Sequence, residues 1–67
     1  MELSARNQLQ GIVKSIETGA VMAEVVVDVG GQEMVAAITV NSVERLAIEV
    51  GDTVSVIVKS TDVMIGK

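Results

Sequence analysis

Three features of the sequence predict an all-β domain. Short runs of alternating apolar and polar residues recur five times. β-branched Val and Ile dominate those runs, and the alternation breaks to helical spacing only once, after the third. Five strands with one short helix between strands 3 and 4 is the connectivity of an OB-like Greek-key barrel. With 67 residues and no repeat or linker, the chain reads as a single domain over 1–67.

The elements follow in order. From Leu9 to Glu17 the alternation places Ile12 and Ile16 on one face and Leu9 and Val13 on the other, a strand with both faces partly buried. Thr18-Gly19 marks a turn or bulge. From Ala20 to Val29 the pattern is clean: Val21, Ala23, Val25, Val27 and Val29 share one face. Val29-Gly30-Gly31-Gln32 reads as a hairpin, because paired glycines supply the positive φ of a primed two-residue turn. Met34, Ala36, Ile38 and Val40 alternate along the return strand. Asn41-Ser42-Val43-Glu44 then fits a capping box, with Val43, Leu46 and Ala47 at helical spacing, so a helix is expected over roughly Ser42 to Ala47. Such a short helix holds only when packed, and its expected place is plugging one end of the barrel. Glu49-Val50-Gly51-Asp52 is a turn. Val54, Val56 and Val58 alternate in a fourth strand, and Val63 to Ile65 form a short fifth.

Composition narrows the function. Apolar residues make up 49% of the chain, yet none is aromatic, so the core is built from Val, Ile, Ala, Leu and Met. Met22, Met34 and Met64 suit gaps in a core or interface. So short a chain normally needs a staple. Cysteine and histidine are both absent, which removes disulfides and the usual zinc sites, and no direct protein ligand to a metal is expected. Self-association is the staple that remains, and a homo-oligomer is expected. The formal charge of -4 and the lack of aromatics oppose a nucleic-acid partner, which wants a basic groove and stacking platforms. No signal segment or membrane-length apolar run is visible, so a soluble, cytoplasmic protein is expected.

Chemistry concentrates in two donor-rich stretches. Ser4-Ala5-Arg6-Asn7-Gln8 holds a hydroxyl, a guanidinium and two amides without an acid, and Lys59-Ser60-Thr61 holds an ammonium and two hydroxyls. Isolated surface cations are commonplace. Here basic residues are scarce, each of the two lies near a hydroxyl, and both stretches fall at strand ends, where binding residues concentrate. Brought together, they would cage a small tetrahedral anion. A fully deprotonated dianion only accepts hydrogen bonds, so a donor-only cage suits it, whereas a protonated phosphate brings a hydrogen that needs an acceptor. Leaving one buried polar group unpaired costs about 1–3 kcal/mol, a tenfold to hundredfold preference. Catalysis is not expected: Ser4 and Ser60 have no histidine to activate them. Glu24 and Asp28 share a strand face, an arrangement better suited to solvated charges than to paired catalytic carboxylates.

These residues carry a resemblance. Ser4 to Gly11, Gly19-Ala20-Val21 with Ala23-Glu24-Val25, Ile38-Thr39 before Ser42-Val43, Leu46, Gly51, and Lys59-Ser60 with Val63-Met64 resemble the molbindins, small molybdate-binding proteins built from one mop or TOBE domain. The match runs through essentially the whole chain. It implies an OB-like barrel assembled as a hexamer, a trimer of dimers with a strand exchanged between partners, that stores molybdate or tungstate and maintains its level in the cytoplasm. Carried over by position, Ser4, Arg6, Lys59 and Ser60 hold the oxyanion at a subunit interface, Ala5 contributes its backbone, and Thr39 offers a further hydroxyl. A second class of site near a threefold axis would involve Gly19, Ala20 and Val21. Met22 departs from the family pattern there, where a small polar residue such as Asn is common. A molybdenum-pterin would want an aromatic stacking partner and finds none, which favours the bare anion. An alternative with the same ligand chemistry is a detached oxyanion-sensing domain acting on a transporter or transcription-factor partner.

Overall fold

The computed structural model describes all of residues 1–67. It has the expected OB-like character, with four strands instead of five. β1 spans Asn7–Thr18, β2 Met22–Val29, β3 Gln32–Thr39, α1 Val40–Arg45 and β4 Thr53–Val58, followed by a 3₁₀ turn at Ser60–Asp62. The strands form one antiparallel sheet in the order β3-β2-β1-β4, so β3 and β4 are its edges.

Val63 to Ile65 do not form the expected fifth strand. The 3₁₀ turn, closed by the Asp62 N–H donating to the Lys59 carbonyl at 2.9 Å, carries the chain off β4. Met64 and Ile65 are left more than nine-tenths exposed. The strand-forming composition of this tail is real, but its own chain gives it no edge to join.

β1 corrects the expected facing of its side chains. Its register with β2 slips between Val13 and Ser15, so Lys14 is an extra, bulged residue. Val13 and Ile16 therefore lie on the same, core side, while Ile12 turns outward and is half exposed. Period-2 counting fails across a bulge because the inserted residue inverts every side chain after it. Gly11 is equally constrained. A Cβ there would stand 2.5 Å from Val27 Cγ1 and 2.6 Å from the Asp28 carbonyl oxygen, so β1 can cross β2 this closely only without a side chain.

β2 and β3 join through Gly30-Gly31, both at positive φ (59° and 90°), as the hairpin signal requires. The Gly31 N–H also donates to Asp28 Oδ1. β2 begins two residues later than expected. The Gly19 N–H bonds back to the Met22 carbonyl at 2.8 Å and takes Ala20 and Val21 into a bend. Ala23, Val25 and Val27 make the predicted buried row, and with Val13 and Val43 they form the core.

The helix starts two residues earlier than expected and uses a different cap. Thr39, still extended at φ -72° and ψ 149°, accepts from the Ser42 N–H at 3.0 Å. Asn41 lies inside the first turn. Thr39 wins because it ends a strand with its hydroxyl three residues before an unbonded N–H, the geometry an N-cap needs. At the far end Ala47 adopts φ 53°, Ala47 N–H bonds to the Glu44 carbonyl and Ile48 N–H to the Val43 carbonyl. This is a Schellman closure with alanine at the position glycine prefers.

Only Gly11 and the five core residues are buried. Between the β3 and β4 edges an apolar cleft of about 590 Å³ opens over the core, lined by residues such as Val25, Val27, Ile38, Leu46, Val54 and Val56. No helix is long and apolar enough to cross a membrane.

Candidate functional site

The β1–β4 ladder decides which predicted residues meet. Its last pair is Asn7 with Val58. Arg6 and Lys59 are the next residues outward on these two neighbouring strands, with Ala5 and Ser60 beyond them. Paired strand residues lie about 5 Å apart, so the guanidinium and the ammonium spring from adjacent backbone in one chain. Ser4 precedes Ala5 in a bend, and Ser60 opens the 3₁₀ turn. Thus two stretches more than fifty residues apart in sequence share one end of the sheet.

No salt bridge forms at that end. The one salt bridge in the chain joins Lys14 to Glu33 at the surface, far along β1. Neither Arg6 nor Lys59 has a carboxylate partner, and both are exposed. Two adjacent like charges repel each other, and a dianion between them relieves that repulsion. The Ser4 and Ser60 hydroxyls add donors. Gln8 Nε2 donates to the Ala5 carbonyl at 2.8 Å, bracing the bend before β1. The Gln8 amide was visible in the sequence as part of the donor stretch; that it reaches back three residues was not.

Thr39 lies elsewhere. It pairs with Met22 on β2, and the Val40 N–H donates to the Val21 carbonyl at 2.8 Å, so Thr39 sits beside Gly19-Ala20-Val21. That cluster is at the opposite end of β1, a strand of twelve residues in a molecule whose longest dimension is 35 Å. Within one chain Thr39 cannot share a ligand with Arg6 and Lys59. Its hydroxyl is also occupied: it accepts from the Ser42 N–H and donates to Ser42 Oγ at 2.8 Å. Within its own chain the Thr39 hydroxyl serves as the helix cap.

Around Gly19, Ala20 and Val21 the Gly19 N–H is used by the Met22 carbonyl, which leaves the amides of Ala20 and Val21 and the Ser42 hydroxyl as donors. No cation stands among these residues, and Glu17 and Glu24 face each other across β1 and β2 nearby. Glu24 is solvated, Asp28 holds the hairpin amide, and no three potential metal-ligating side chains converge.

The match to known proteins now has a geometry to sit on. The model of the TOBE domain matches residues 3–65. The chain belongs to the TOBE-domain family. The molbindin resemblance read from the sequence holds within that family. This TOBE chain is 47% identical over 66 residues to molybdenum-pterin-binding protein 2 of Clostridium pasteurianum, covering 97% of each. Its fold matches a molybdate-binding protein from Sporomusa ovata with TM-score 0.96 and 46% identity over the whole of both chains. It also matches the cytoplasmic molybdate-binding protein ModG, in a form with molybdate bound, with TM-score 0.85 and 44% identity. There it covers 90% of this TOBE chain and 43% of that one.

Proposed function

We propose that the chain binds molybdate in the donor cluster of Ser4, Ala5, Arg6, Lys59 and Ser60, and that it acts as a store that buffers the anion in the cytoplasm. The observation carrying this reading is that Arg6 and Lys59 each directly follow the Asn7–Val58 pair that ends the β1–β4 ladder, and that neither forms a salt bridge. A tetrahedral dianion has only acceptor atoms, and this cluster offers charged and neutral donors from both strands. Tungstate, of the same shape and charge, is expected to bind alike. The work is binding without bond making: no side chain here can serve as an activated nucleophile. Relatives matched along nearly their full length and named for molybdenum binding support the ligand.

Assembly is part of the reading. The β3 and β4 edges are unpaired, the cleft between them is apolar, and Val63, Met64 and Ile65 are exposed beside a chain end that pairs with nothing. These features support a homo-oligomer in which neighbours exchange a strand, with a trimer of dimers as the proposed form. Such an assembly would also close water out of the donor cluster and strengthen its grip. A second anion position at Gly19, Ala20 and Val21 would have neutral donors only and is expected to be the weaker.

Titrating molybdate into the purified protein at moderate salt tests the site. Saturable binding at submillimolar concentration, lost in an Arg6→Ala, Lys59→Ala double variant, is the expected result. Equal binding by that variant would remove the cluster from consideration. Native mass measurement tests the assembly, with six chains expected.

A further inference from the structure

We draw no further inference here: the strongest candidate, the apolar cleft of about 590 Å³ that opens between the β3 and β4 edges with Leu46, Ile48 and Val56 among its lining, carries nothing beyond the self-assembly already proposed, because nothing in the structure shows what covers it.

Discussion

The two ends of β1, the principal candidate site and the possible second one, differ in what the fold leaves free. At its start, Arg6 and Lys59 are cations without a salt-bridge partner. At its finish, the donors around Gly19 and Thr39 are largely spent on the fold: Gly19 closes a turn, Val40 holds Val21, and Thr39 caps α1 while donating to Ser42. Donor-rich composition alone does not make a ligand site. What matters is whether the structure has already used the hydrogen atoms: the first end keeps two cations in reserve, the second only the Ala20 and Val21 amides and the Ser42 hydroxyl.

The contrast can be broken at its strong end first. Removing both Arg6 and Lys59 by alanine should cost molybdate binding about 3 kcal/mol or more, roughly a hundredfold in Kd, since each charged donor contributes about 1.5–3 kcal/mol. Melting temperature should stay level or rise slightly as the mutual repulsion disappears. A fall in stability with binding retained would reverse the roles assigned to the two ends. Between the ends, Gly11→Ala places a methyl against Val27 and the Asp28 carbonyl and should lower stability by about 3 kcal/mol, read by urea unfolding. At the weak end, Thr39→Ala should leave molybdate affinity unchanged and cost about 1 kcal/mol of stability through the lost cap. An affinity loss comparable to that of Arg6→Ala would place Thr39 in the ligand set.

Two smaller effects sharpen the picture further from the anion. Ala47→Gly relieves a left-handed alanine and should stabilise the fold by roughly 0.5–1 kcal/mol, seen as a raised melting temperature. Lys14 is the other. Its hydrogen bond and charge attraction to Glu33 raise its pKa above the ordinary 10.5. The ion pair therefore contributes fully below about that pH and its contribution disappears as pH rises through the folded value. Both groups are exposed and the effect is small. A melting curve series from neutral to strongly alkaline pH should show a slight extra decline in the natural chain that Lys14→Met lacks.

Much of this was legible in the residues, for physical reasons. Ala23, Val25 and Val27 alternate without interruption and are buried as a row. Gly30-Gly31 left little choice but a primed turn. The two donor stretches flank strands that proved to be neighbours, β1 and β4. The failures are equally specific. The Lys14 bulge carries no marker of its own, so Ile12 was placed on the wrong face. Thr39 and Asn41 are both good caps, and only the end of β3 decides between them. Val63 to Ile65 have strand chemistry without a partner in their own chain, and a single chain's pattern cannot say whose edge they suit. The Gln8 contact depends on a bend that no periodicity encodes.

The unpaired edges of β3 and β4 bear on how the protein would behave when diluted. Each presents a row of amides and carbonyls that must bond either water or another molecule. If the second holds, native structure is a product of encounter: its melting point should climb with protein concentration, and refolding should slow as the solution thins.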